Sequence, residues 1–169
     1  LREDAEDAAP WYNLGNLYLD RTALPLAVAC YQQALVLEAS DSDIWNNLGH
    51  CWSLAGETEE AIRCYSRAVA LRPDSAISWN NLGNTWSRRG ENERAIGCYK
   101  EAIRIEDDTA AFHLNLAASL ARLGLNDDAL ADLEKAVTLN PLLAGLLPDL
   151  AAFDPLRANP RYLHLLSSD

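Results

Sequence analysis

Four asparagines, Asn13, Asn47, Asn81 and Asn115, recur at a step of 34 residues. A primary amide carries both a hydrogen-bond donor and an acceptor. An extended peptide backbone needs that pair of groups, so the chemistry on offer is main-chain recognition. Asn is a mediocre mid-helix residue, and local propensity does not explain four of them in one register. Two readings stand: a ladder that grips a peptide, or amides that bond to each other and to neighbouring helices. Tyr12, Asn16, Asn46, His50, Asn80 and Asn84 lie beside the four and would add polar contacts, with Arg88 and Arg122 as the basic candidates. A step of ~10 Å between stacked helices makes a ladder of ~30 Å, or roughly nine extended residues at ~3.3 Å each. At ~1 kcal/mol net per hydrogen bond, the ladder alone implies weak, micromolar-range binding.

Catalytic chemistry has little support. His50, His113 and His164 are far apart in sequence, and a lone groove histidine is more often a polar lining residue than a base. Glu59-Glu60 and Asp127-Asp128 fall at the starts of helices, where acids favour the helix dipole. Cys30, Cys64 and Cys98 share one place at the 34-residue step. Equivalent residues ~10 Å apart exceed the roughly 7 Å Cα limit of a disulfide, so buried thiols in a reducing compartment are expected. No Cys-x-x-Cys spacing points to zinc. The expectation is a chain with no catalytic residues, no metal and no cofactor.

The formal net charge is −11 and the pI about 4.6. Nucleic acid and anionic membranes are disfavoured, because both select basic surfaces. The acidity mildly favours basic partners, although acidic loops also simply keep a repeat protein in solution. No apolar run approaches the ~20 residues of a membrane span, and no signal peptide is visible, so a cytoplasmic location is expected. The chain has no Met, not even at position 1, which points to a processed product or a fragment of something longer.

The elements that must position the asparagines repeat with them. Trp45-Asn46-Asn47-Leu48-Gly49 returns as Trp79-Asn80-Asn81-Leu82-Gly83, appears earlier as Trp11-Tyr12-Asn13-Leu14-Gly15, and later as His113-Leu114-Asn115-Leu116-Ala117. Trp45, Leu48, Gly49 and Trp52 share one helical face. The Gly lets a paired helix approach closely. After a short turn at Gly56, Gly90 or Gly124, a second helix carries Ala61, Ile62, Tyr65, Ala68 and Val69, again at helical spacing. Thr22 stands where the other copies have the turn glycine. A period of this size marks a helical solenoid.

This pattern resembles the tetratricopeptide repeat (TPR) family over Ala8 to Leu143. The resemblance implies an all-α, right-handed solenoid of four helix pairs: 8–41, 42–75, 76–109 and 110–143, after an acidic lead-in at 1–7 and before capping helices at 144–169. In the tail, Leu142 to Ala152 reads as a further first-type helix ended near Pro148, and Leu163 to Leu166 as a short helix. A polar outer side is expected of such a cap.

TPR superhelices turn the asparagine side of their first helices into a concave groove. The ladder is similar to that of the glycosyltransferases that attach N-acetylglucosamine to Ser and Thr. The carboxylate clamp of TPR co-chaperones is not matched: Asn16 and Asn47 are present, but Tyr12 and Ile77 replace Lys and Asn81 replaces Arg. The implied function is a scaffold whose partner is another protein or peptide segment. The alternatives are a substrate-recruiting part of a larger enzyme and a self-associating module that forms a homo-oligomer.

Overall fold

Helix starts are written into the sequence by prolines and acids. Pro10 and Pro25 open the first turns of α1 (Ala9–Asp20) and α2 (Leu24–Leu37), where a missing N–H costs little. Asp41 caps α3 (Ser42–Ala55), its carboxylate accepting from the N–H groups of Asp43 at 2.7 Å and Ile44 at 3.3 Å. Paired acids occupy the first turns of α4 (Thr58–Leu71) and α8 (Asn126–Leu139). Between them run α5 (Ala76–Arg88), α6 (Asn92–Ile105) and α7 (Ala110–Arg122). A computed structural model describes residues 7–167; the acidic lead-in, apart from Asp7, lies outside the described residues. The fold is all-α, four helix pairs and a C-terminal segment, as the repeat pattern predicts.

The chain forms two compact units, Leu1–Thr85 and Trp86–Asp169, which divide within α5. In the first unit, α1 packs on α2, α2 on α3 and α3 on α4. Their core joins Ala27, Tyr31 and Ala34 of α2 to Ile44, Leu48 and Cys51 of α3. The close approach expected at the repeat glycines is present: a Cβ built on Gly15 would lie 2.6 Å from the Tyr31 ring, and one on Gly49 would lie 3.0 Å from the Tyr65 ring. Turn glycines Gly56, Gly90 and Gly124 take φ of 83°, 86° and 75°, and Thr22 takes the same left-handed conformation at 56°.

In the second unit, α6 packs on α7 and α7 on α8. Its core runs from Tyr99 through Leu116, Leu130 and Leu133 into Leu147, Phe153, Leu156 and Tyr162 of the tail.

The tail departs from the expected first-type helix. Residues Pro141–Gly145, Leu147–Asp149 and Ala151–Leu156 form three 3-10 turns, followed by α9 (Pro160–Leu166). Pro148 and Pro155 each remove a backbone donor, so no continuous α-helix spans the stretch. The tail still covers the last helix pair. Tyr162 donates its hydroxyl to the Leu147 carbonyl at 3.0 Å, and Arg161 donates to both carboxylate oxygens of Glu134 at 2.8 Å each. Its outer side is not purely polar, since Leu142, Leu146, Leu150 and Leu163 are exposed among Asp149, Asp154, Arg157 and Arg161.

Candidate functional site

Helical periodicity puts Asn47 and His50 on the side of α3 opposite Trp45, Leu48 and Trp52. In the first unit, α1, α3 and the start of α5 together present the amides. They are linked side by side. Asn47 Nδ2 donates to Asn16 Oδ1 at 3.0 Å and to the Tyr12 hydroxyl at 3.2 Å. Tyr31, buried on α2, donates its hydroxyl to the same Asn16 oxygen at 2.6 Å. Asn81 Nδ2 and the Ser78 hydroxyl both donate to Asn46 Oδ1 at 3.3 Å, and Asn46 reaches Asn47 Oδ1 at 3.5 Å.

The rungs therefore do not join like to like. Asn47 bonds one turn along the preceding repeat, at Asn16, whereas Asn81 bonds to Asn46, the neighbour of Asn47. Of the two readings of the asparagines, mutual bonding thus holds for Asn16, Asn46, Asn47 and Asn81.

Part of their capacity stays open. Asn16 has both acceptor sites of its oxygen filled, yet its Nδ2 donates to nothing among the described residues. Asn81 uses one donor, and its oxygen accepts nothing among the described residues. Asn13 and His50 are exposed and make no hydrogen bond among the described residues. A row of fixed amides with unused donors and an unused acceptor can meet peptide backbone. Burial, first, and then the neighbouring Cys51 and Tyr12 raise the Tyr31 pKa, so the phenol stays protonated and keeps donating to Asn16.

Asn80 and Asn84 lie half-buried on α5, and Arg88 is exposed at its end. In the second unit, Asn115 and Arg122 line a cleft of about 310 Å³ with Leu114, Ala118 and tail residues Leu150 to Phe153. Arg122 also donates to the Ser87 hydroxyl at 2.9 Å. The fourth asparagine thus faces the tail.

Sequence reasoning missed a second concavity. A cleft of about 710 Å³ lies between α2 and α4 over Trp45, Leu48 and Trp52 of α3, with Gln32, Val36, Arg63 and Arg67 on its walls. Nothing in the sequence marks it, because the half-exposure of Trp45 and Trp52 is visible only in the structure.

His113 repeats a contact made by the tryptophans it replaces. Trp45 and Trp79 donate their indole N–H to the carbonyls of Ala39 at 2.9 Å and Pro73 at 3.0 Å, each six residues back. His113 Nε2 meets the Asp107 carbonyl at 3.1 Å, also six residues back, while Nδ1 meets the Asp132 carboxylate at 2.8 Å. It is 6% exposed and structural. Among the described residues no group of His, Cys, Asp and Glu gathers as a metal site, and no helix is long and apolar enough to cross a membrane.

Tetratricopeptide repeat models match residues 42–75, 88–124 and 110–141, together just over half of the chain. No curated protein matches in sequence. Among solved structures, MamA is 24% identical with a TM-score of 0.79, over 86% of this chain and 85% of that one. YrrB, described as a TPR protein with an unusual peptide-binding site, is 20% identical with a TM-score of 0.81, over 96% of this chain and 84% of that one. At such identities the likeness is one of fold. The 34-residue repeats, the helix pairs and these matches agree: the chain belongs to the tetratricopeptide repeat family.

Proposed function

We propose that the protein is an interaction scaffold, without catalysis of its own, that holds an extended peptide segment against the asparagine face of α1, α3 and α5. The observation that carries this is the amide network Asn16–Asn47–Asn46–Asn81, which fixes the side chains while leaving the Asn16 donors and the Asn81 oxygen unused. Ordering the amides before binding lowers the entropy lost when a peptide docks. YrrB, similar in fold, is described as having a peptide-binding site. The four helix pairs are taken as repeats 8–41, 42–75, 76–109 and 110–143. Asn80 and Asn84 on α5 are read as further contacts on this face, and Arg88, Asn115 and Arg122 are read separately as polar contacts within the second unit. Four buried free thiols suit a cytoplasmic setting.

The test is a peptide-display selection against the purified protein, with affinities then measured on variants. Asn13→Ala with His50→Ala should weaken the selected peptides by roughly 5–30-fold, about 1–2 kcal/mol, without moving the melting temperature. Asn47→Ala should lower both affinity and melting, because it also breaks the network. Affinity equal to that of the unaltered protein in both variants would sink the reading.

One observation favours a second reading. The α2–α4 cleft is largely apolar, and its wall carries Arg67 together with Arg63, which pairs with Glu60. An aromatic side chain with acidic neighbours fits it. Peptides that lose binding on Arg67→Glu, but not on Asn13→Ala with His50→Ala, would move the site there.

A further inference from the structure

The second and third repeats turn the same corner after a tryptophan, and they equip it differently. In the third, Arg94 lies over the Trp86 ring at 4.5 Å from its centroid and Arg89 lies at 5.5 Å. Glu91 pairs with both, meeting Arg94 Nε at 3.1 Å and Arg89 Nε at 2.9 Å. Its N–H donates to the Trp86 carbonyl at 3.0 Å, directly after Gly90 at φ 86°. The second repeat has the same backbone: the Glu57 N–H donates to the Trp52 carbonyl at 2.9 Å, directly after Gly56 at φ 83°. Its side chains differ. The counterparts of Arg89 and Arg94, 34 residues earlier, are Ala55 and Glu60. Among the described residues the cations found over a ring are those on Trp86, and none lies over Trp52. Trp52 is half-buried on the wall of the α2–α4 cleft, and Glu60 lines the same cleft.

We propose that this corner takes an arginine side chain from a basic partner segment, with its guanidinium over Trp52 and paired to Glu57 and Glu60. The chain offers a partner the acceptor half of a contact that it completes by itself at Trp86. A guanidinium stacks on an indole and meets a carboxylate through a flat fork, so arginine fits better than a point charge. Where the third repeat holds one acid and two cations, the second holds two acids and none, and a net charge of −11 draws a basic segment in. Two cations lie further along α4. Arg63 pairs with Glu60, but its side chain is 68% exposed and reaches into solvent. Arg67 is seven residues from Glu60, about two turns or ~10 Å along the helix, at the end of the cleft that suits an acidic ligand. The corner is separate from the asparagine face, so its occupancy does not rest on peptide binding there.

Nuclear magnetic resonance of the indole N–H groups tests it, with a blocked Leu-Arg dipeptide as probe and the same dipeptide carrying neutral citrulline as control. Trp52→Phe assigns the signal. The arginine probe should move the Trp52 signal saturably with a Kd on the order of 1 mM, and the citrulline probe should bind at least roughly 10-fold more weakly. Glu60→Arg should abolish the shift, because it lays the chain's own guanidinium on Trp52 as Arg94 does on Trp86. Glu57→Gln with Glu60→Gln keeps side-chain size, should weaken binding roughly 10-fold, and serves if Glu60→Arg disturbs the fold. Arg63→Ala should tighten binding by releasing Glu60, and Arg67→Glu should not weaken it. Citrulline binding as well as arginine, a silent Trp52, binding that survives both Glu60→Arg and the double Gln variant, or binding lost in Arg63→Ala overturns the proposal.

Discussion

At position 22 a single side chain sits in the wrong backbone region. Thr22 takes φ of 56°, the conformation its counterparts Gly56, Gly90 and Gly124 adopt without a Cβ. For a β-branched residue that strain is about 1 kcal/mol or more. Thr22→Gly should therefore raise the urea midpoint, with a gain of up to ~1 kcal/mol. Gly15 argues the other way. Its missing Cβ leaves room for the fully buried Tyr31 ring, and Gly15→Ala would place an atom 2.6 Å from it. Overpacking of that kind costs about 1–3 kcal/mol. Gly97, on the exposed side of α6, meets nothing within 4 Å, so Gly97→Ala should instead stabilise by up to ~1 kcal/mol through helix propensity. The paired measurements separate packing from propensity at chemically identical substitutions. The Thr22 departure and the close approach at the repeat glycine were legible from the 34-residue register, whereas the open surroundings of Gly97 were not.

Between elements, less was legible. The helices and their partners followed from periodicity, glycines and prolines. Which amide bonds to which did not, since Asn47 reaches Asn16 while Asn81 reaches Asn46, and that register depends on how far each helix slides along its neighbour. The tail was misread because its apolar spacing fits a helix, while Pro148 and Pro155 break the backbone ladder into 3-10 turns. Helix starts behave more simply. Asp41 satisfies two otherwise unpaired N–H groups of α3, and Asp43, in that same turn, accepts from Arg72 Nη1 and Nη2 at 2.7 and 3.1 Å. Asp41→Ala should cost about 1 kcal/mol in thermal or urea unfolding.

Across the whole molecule, neutral groups held in dry surroundings set how it responds to pH. Burial pushes the thiols of Cys51, Cys64 and Cys98 up to about 11 from an ordinary 9.0, and the Tyr99 phenol up to about 12 from 10.0. All four favour the protonated state when folded. The unfolded chain releases those protons at the lower, ordinary values. The stability tied to them is thus fully present below pH 9 and is lost as pH rises through 11 towards 12. Urea midpoints should be level in this respect between pH 7 and 8.5 and fall steeply by pH 10.5. Replacing the three cysteines by alanine should flatten the part of the fall that begins nearest pH 9. Composition made the acidity plain, but not this alkaline limit, which depends on which side chains the packing hides.

The same hidden thiols give the protein an internal stopwatch. Cys30, Cys51 and Cys64 belong to α2, α3 and α4, and Cys98 belongs to α6. Cys51 is 0% exposed and Cys30 and Cys98 are 5% and 7%, so an alkylating reagent reaches them mainly when their helix pairs open, whereas Cys64 lines the α2–α4 cleft and sets the fast reference rate. Labelling rates at the other three sites would then read the free energy of local opening repeat by repeat, and show whether the array melts from an end or all at once.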